Sequence, residues 1–320
     1  MSLSTTTTIR GDIAQSVYEG RSNKANLFIG AEVMPIYVAD VRSGEYLKIN
    51  LGQSEALNDD ATKIAAGAAY PRVSRKFVSD TFATTEYGLE EVLPDATQRD
   101  LARFLDVEVA VADMLLSQIQ IGHEARVAAL TYAANGITAI SGTGATAAYS
   151  EANITTFDLP ADVAAGKLEL AKYGVLPNTL VLSATLFERV RRSSKVQNQM
   201  FGVVATNSTR LLSEQEVAQA VGVDQVLVGR APKNSAKKGQ SYSGSFIWGD
   251  SYIALGYVAG GEFAAGGFGR SILWGADSPV PFVTETYRDE ARRSNVLRVR
   301  QHVSEKVVDG SSIIRITTGL

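Results

Sequence analysis

Cysteine is absent from the 320-residue chain. That excludes disulfides, thiolate metal sites and a cysteine nucleophile. It suits a reducing interior, or a particle that avoids redox chemistry. Histidine is almost absent, with His123 and His302 the two present. A multi-histidine metal site is excluded, and imidazole-dependent catalysis has few candidates. An excess of one charge is missing as well. The net charge is −3 with both signs interspersed, which lacks the basic stripe of a dedicated nucleic-acid binder. No apolar run approaches the ~18 residues of a membrane span. The first residues, Met1-Ser2-Leu3-Ser4-Thr5-Thr6-Thr7-Thr8, have neither the basic start nor the apolar centre of a signal peptide. Production and use in the cytoplasm are expected. What the chain does have is 45% hydrophobic residues, enough for a sizeable core. Its length suits two domains or one large one.

The stretch from Thr97 to about Asn135 predicts one long helix. It contains no proline, and apolar residues recur at Leu101, Leu105, Val109, Ala112, Leu116, Ile119, Val127 and Leu130. Steps of three and four, with His123 filling the one gap, trace one helical face. Asp95 or Thr97 serves as N-cap, with Gln98 three residues after Asp95. Asn135-Gly136 suits a left-handed C-cap. Such a helix would be roughly 55 Å long, beyond most helices of globular enzymes. Gly122, near its middle, costs up to about 1 kcal/mol relative to alanine.

Around this helix the chain divides. Residues 1 to about 35 open on a threonine tract that cannot order itself, and read as an extended arm or a frayed terminus. Residues 36 to about 90 read as β. Alternation in Gly44–Asn50 and again in Arg72–Ser79 predicts a long hairpin around a polar tip near 52–60. An isolated two-stranded ribbon is marginal in water, so a neighbouring subunit is expected to support it. Residues 137–147 are small and loop-like. From Asp158 to about Gly275 helices and strands alternate. Helices are expected over Ala161–Tyr173, Ala184–Arg192 and Glu214–Val221, and strands over Thr179–Ser183 and Gln225–Gly229. Phe246–Gly249 and Tyr252–Val258 are expected to pair. After Pro279-Val280-Pro281 the tail alternates, with Leu297, Val299 and Val303 on one face and Arg298, Arg300 and His302 on the other. Lys306–Gly310 and Ser312–Ile316 are expected to close a hairpin around Asp309-Gly310.

The motifs that could carry chemistry are weak. Gly142-Thr143-Gly144-Ala145-Thr146-Ala147 matches the letters of a dinucleotide fingerprint. That motif needs a preceding strand, a helix opening at the glycines and an acid about 20 residues on. A small-residue turn fits better. Gly260-Gly261 and Gly266–Gly269 lack the lysine and serine of a phosphate loop and read as turns. His123 and Glu124 are adjacent on the helix and point about 100° apart. His123 therefore reads as a packed core residue, and His302 as an exposed one. Arg189, Arg191, Arg192 and Lys195 form one basic cluster, and Lys233, Lys237 and Lys238 another. Both read as solvated surface, with contact to an acidic neighbour or to packaged nucleic acid as the alternative.

The order of arm, long hairpin, long helix, α/β domain and β-tail resembles the major capsid proteins of tailed bacteriophages, the Hong Kong 97-type fold of the α+β class. Thr179–Ser183 followed by Leu186–Arg192 is similar to the strand and helix of that family's axial domain. Val226–Ala231 followed by Ser245–Gly249 is similar to its later strand pair. Thr286–Glu290 with Val296–Val299 is similar to its closing strands. The resemblance implies an N-terminal arm at 1–35 and an extended E-loop at 36–90. It implies a P-domain at 91–156 and 279–320 with the spine helix at 97–135, and an A-domain at 157–278. It implies no catalytic residues, cofactor or metal. The expected role is a structural subunit that self-assembles into hexamers and pentamers of an icosahedral head around double-stranded DNA. Expected partners are copies of itself, scaffolding and portal proteins and decoration proteins, with nonspecific DNA contact and no membrane. The expected location is the virion, after assembly in the host cytoplasm. An N-terminal scaffolding segment is expected to have been removed or replaced by a separate protein. Lys63 near the hairpin tip is the obvious lysine for an isopeptide link, yet no partner asparagine or catalysing glutamate stands out, and no crosslink is expected. An encapsulin-type nanocompartment is the nearest rival. A nucleotide-dependent enzyme using Gly142–Ala147 is a distant one.

Overall fold

Two sheets organise the chain, and one helix packs along the first and reaches the second. The computed structural model describes residues 8–9, 27–48, 64, 66–67, 69–70, 72, 78–101, 107–134, 137–202, 210–237, 239–262 and 265–320. The strands are β1 (Thr8–Ile9), β2 (Ile36–Ala39), β3 (Ser43–Lys48), β4 (Val78–Ala83), β5 (Thr85–Pro94), β6 (Thr179–Ser183), β7 (Gln225–Gly229), β8 (Pro232–Asn234), β9 (Gly244–Phe246), β10 (Tyr252–Gly256), β11 (Gly269–Trp274), β12 (Val283–Asp289), β13 (Ser294–Val307) and β14 (Ile313–Thr317). The helices are α1 (Gly30–Val33), α2 (Asp95–Leu101), α3 (Val107–Thr131), α4 (Leu159–Ala171), α5 (Ala184–Val190), α6 (Ser194–Phe201) and α7 (Glu214–Val221).

The first sheet is built on β13, which pairs antiparallel with β12, β5 and β11. The edges are β1 on β12 and β2, parallel, on β11. Leu297 and Val299 of β13 and Leu93 of β5 meet Val111, Leu115, Leu116 and Ile119 of α3. Farther along, Val127 and Ala128 of the same helix join Val181, Leu227, Ala254 and Ile313 of the second sheet. The helix thus has apolar contacts at both ends of its length, which is why its stripe persists.

The second sheet runs β14-β10-β6-β7. The parallel pair β6–β7 requires a crossover, supplied by α5, α6 and α7. Alternate side chains leave opposite faces. Leu180, Leu182, Val226 and Val228 face the cluster with α4–α7, while Val181 and Leu227 face the α3 side. Burial on both faces accounts for the unbroken apolar run at Thr179–Ser183. Local signals place the helices. Asp158 caps α4 at Ala161 N, Ser183 caps α5 at Leu186 N, and Ser213 with Glu216 closes a capping box on α7.

Several expectations are corrected. Where one helix over 97–135 is expected, helix is described over Asp95–Leu101 and over Val107–Thr131. Residues 102–106, like Asn135-Gly136, lie outside the described residues. At the end, Thr131 turns its hydroxyl back onto Val127 O and Ala133 N closes a tighter turn on Leu130 O. The hairpin strands are β3 and β4, so the second one sits later than Arg72–Ser79. Its register puts Tyr46 opposite Asp80 and Gly44 opposite Phe82, burying Tyr46 and Phe82. The polar tip near 52–60, Lys63 and most of the arm lie outside the described residues. Strand β5 runs through residues 85–90, where the sequence predicts the end of the hairpin region. Its three exposed glutamates hid it, although one of them, Glu90, pairs with Arg298 of β13. Residues 306–316 are not a hairpin. Asp309 accepts from Ser311 N, Ser311 Oγ and Ser312 Oγ, and this turn sends the chain from β13 into β14 of the other sheet. Phe246 pairs through β9 with β8, whereas β10 pairs with β6 and β14.

Candidate assembly surface

The junction of the two sheets is held by one carboxylate. Glu124 lies on α3, 1% exposed. Its Oε1 accepts from Ile29 N at 3.0 Å and Trp248 Nε1 at 2.6 Å, and its Oε2 from Gly30 N at 2.7 Å. Burial pushes its pKa up, and the bonds from Trp248, Ile29 and Gly30 oppose the rise. Three donors aimed at two oxygens suit the ionised form. The chain entering α1, the long helix and the turn that leads into β10 therefore share one node. Its neighbour His123 points elsewhere, as expected. His123 Nε2 meets Ser271 Oγ at 3.2 Å, and Ser271 Oγ donates to Met34 O at 3.0 Å. Ser271 has spent its proton on Met34, so Nε2 is the donor to Ser271. Burial lowers the His123 pKa. Glu305, beyond, takes a bidentate clamp from Arg126.

The hairpin leaves the first sheet with apolar side chains uncovered. Leu47 and Val41 are 62% and 55% exposed, and Leu176, in the loop before β6 of the second unit (the second sheet with α4–α7), is 78% exposed. They border a groove of about 910 Å³ between the hairpin root and the second unit. Tyr46, Phe82, Val175 and Val308 also line it, and Asp40, Glu45 and Asp309 contribute its acids. Exposed apolar side chains gathered around a groove mark an interaction surface.

The residues that could have carried chemistry have structural roles. Thr143 N and Oγ1 and the Tyr149 hydroxyl all donate to the buried Asp162. Thr143–Ala145 forms a short 3-10 turn, not the start of an α-helix. Gly142 has a φ of 48°, and a Cβ on Gly144 would stand 2.1 Å from Thr317 O. The glycines of this motif answer to backbone conformation and close approach. Arg189 donates to Tyr149 O, Arg191 pairs with Glu188, and Arg192 forks onto Glu151. Lys195, Lys233 and Lys237 are exposed, and Lys238 lies outside the described residues. Among the described residues no group of three His, Asp or Glu side chains could hold a metal ion.

His302 is corrected from exposed to buried. Its ring stacks edge-on against Trp274 at 5.0 Å, and Asp277 and Thr84 flank its two nitrogens. Alternation had placed it with Arg298 and Arg300 on an outer face, but the turn after β11 folds over that end of the strand. The missed signal was Trp274 and Asp277, an aromatic and an acid three residues apart on that turn.

No protein-family model matches the sequence, and no curated protein matches it. Solved structures do match. A phage-related protein from Bordetella bronchiseptica RB50 superposes with a TM-score of 0.67 over 98% of each chain at 19% identity. The capsid of cyanophage P-SCSP1u gives 0.57 over 89% of this chain and 86% of its own at 10% identity. The capsid of an empty GTA particle gives 0.54 over 100% and 96% at 15% identity. These likenesses show that this chain has the Hong Kong 97-type capsid fold.

Proposed function

We propose that the protein is a major capsid protein whose copies assemble into the hexamers and pentamers of an icosahedral phage head around double-stranded DNA. The observation that carries this reading is a hairpin root with uncovered apolar side chains, in a chain with a capsid-subunit fold. A ribbon of that kind gains stability when a second copy covers it. The arm at 1–35, the E-loop at 36–90, the P-domain and the A-domain would be the working parts. The role is structural, not enzymatic, and the location is the virion. Scaffolding and portal proteins are the expected helpers during assembly in the host cytoplasm. Contact with DNA would be nonspecific, through exposed lysines such as Lys233 and Lys237. Among the described residues no helix is long and apolar enough to cross a membrane.

Negative-stain microscopy and light scattering of the purified protein test the reading. Particles tens of nanometres across, or ring-shaped capsomers, are expected. A stable dimer as the only species would overturn it. Shells from the native source should hold double-stranded DNA; protein cargo in its place would point to a nanocompartment. Denaturing gels of shells should show a single subunit band, since no crosslink is proposed. A ladder of covalent multimers would overturn that part.

A further inference from the structure

The ribbon of β8 and β9 stands out from the second unit. Every residue of both strands is exposed, yet the ribbon is tied together. Asn234 Oδ1 accepts from Ala236 N at 3.0 Å and from Ser243 N at 3.1 Å. Ser235 N and Ser235 Oγ both donate to Ser243 O. The register sets Pro232 opposite Phe246 and Asn234 opposite Gly244, and residues two apart share a face. A Cβ on Gly244 would stand 2.6 Å from the Tyr242 ring, so that ring lies over Gly244 on the same face. One face thus carries Pro232, Phe246 and Tyr242, with Phe246 44% and Tyr242 72% exposed. Lys233 takes the other face and Lys237 the tip. No aspartate or glutamate occurs in 231–249.

The groove beside the hairpin root has the opposite charge. Leu47, Val41 and Leu176 are its exposed apolar residues. Among the described residues no lysine or arginine lines it. Of its acids, Asp309 is taken up by Ser311 and Ser312. Asp40 and Glu45 are exposed, and their carboxylates have no partner among the described residues.

Ribbon and groove lie at opposite ends of one sheet. The groove gathers Leu176 before β6, Tyr257 after β10 and Ser312 before β14. Gly256 pairs with Thr179 and Ile313, so these three places share one end. The ribbon leaves from the other end, after β7 and before β10. The strands between span roughly 15 Å. Knob and socket therefore stay apart within one copy, and between copies they join head to tail. Repetition of such a contact makes a ring where the rotation closes.

We infer that the β8–β9 ribbon of one copy docks in the groove of the next. Tyr242 and Phe246 cover Leu47 and Leu176, and Lys237 pairs with Glu45 at the rim. Lys237 is then spent on the neighbour, and Lys233 is left for phosphate. The inference names the surface that meets the groove in a shell, and it rests on the shell reading for the presence of a second copy.

Thiol crosslinking of the full-length protein tests it, since the chain has no cysteine of its own. Leu176→Cys and Ser241→Cys are placed in one chain, and its particles or rings are treated with a short bismaleimide. Denaturing gels should show a ladder of multimers. Each single variant should stay one band, and an equal mixture of the two should stop at dimers. Leu168→Cys with Ser241→Cys should give no ladder, because Leu168 is exposed on α4 away from the groove. If the thiol variants do not assemble, charge reversal decides. Lys237→Glu and Glu45→Lys should each raise the concentration needed for assembly about fivefold, the scale of one rim ion pair. The two together should restore it. Native particles with no ladder from the Leu176–Ser241 pair, a single variant that links to itself, or reversals that do not rescue each other would overturn the docking and leave the shell reading standing. A native protein that stays monomeric would overturn both.

Discussion

Glu124 receives three N–H donors, from Ile29, Gly30 and Trp248, so its charge has few substitutes. In Glu124→Gln one amide oxygen can still serve Ile29 and Trp248. The new NH₂ group then faces Gly30 N, a donor against a donor at the 2.7 Å of the present bond. Loss of about 2–3 kcal/mol is expected, measured by denaturant unfolding of the unassembled subunit. His123 gives a pH dependence of its own. Its folded pKa is lowered by burial, so the folded state resists a proton that the unfolded chain takes up. Stability is complete above the ordinary histidine value of about 6.5. It should fall as pH drops below that value, by at most about 1.4 kcal/mol per pH unit. His123→Gln should flatten that part of the unfolding free energy between about pH 5 and 7. The packed state of His123 was legible because it completed an apolar stripe at helical spacing. That of His302 was not, because two-residue alternation says which face a side chain takes but not what covers the face. Trp274 and Thr84, far away in sequence, do the covering.

The spine α3 was the most legible element, since its period persists through 25 residues. Its ends were less so, because a back-bonded Thr131 leaves no mark in hydropathy. Gly122 is the exception inside it. An added Cβ there would meet only Arg126 Nη1, at 3.5 Å. Gly122→Ala should fit and stabilise the subunit by up to about 1 kcal/mol through helix propensity. If the spine bends at this point when an immature shell expands, the same change should slow expansion while raising the unfolding midpoint. Normal expansion, followed by scattering or microscopy, would remove the bend. Strand β5 was illegible for an electrostatic reason. Glu86, Glu90 and Glu91 look like loop residues until β13 supplies Arg298, which forms an ion pair with Glu90 and stacks over Tyr287. Such cross-strand pairs stabilise the outer face of a sheet whose other face, with Leu93, Leu297 and Val299, packs on α3. The turn at Asp309 misled for a similar reason. Asp-Gly between two alternating runs signals a hairpin, but serines 311 and 312 bind the aspartate and redirect the chain.

At the scale of the molecule, the order of the parts was readable and their joining was not. Sequence order separates the tail from the second unit, yet β14 pairs with β10 along five residues, so the chain returns and closes that sheet. The groove beside the hairpin is a product of this closure, and it provides the test of assembly. Leu47 and Leu176 stand on its two sides, 62% and 78% exposed. In the isolated subunit a charge at either position touches mainly water. Leu47→Asp and Leu176→Asp should therefore shift unfolding by no more than about 0.5 kcal/mol. In a shell, a carboxylate facing the partner that covers this surface would lose its hydration, at a cost of several kcal/mol unless it finds a cation. Since several copies meet in each ring, the penalty recurs around it. Both variants should remain folded by circular dichroism, yet stay as small species where the native protein forms particles on light scattering. Shells forming at the native protein concentration in both variants would show that the groove faces solvent after assembly.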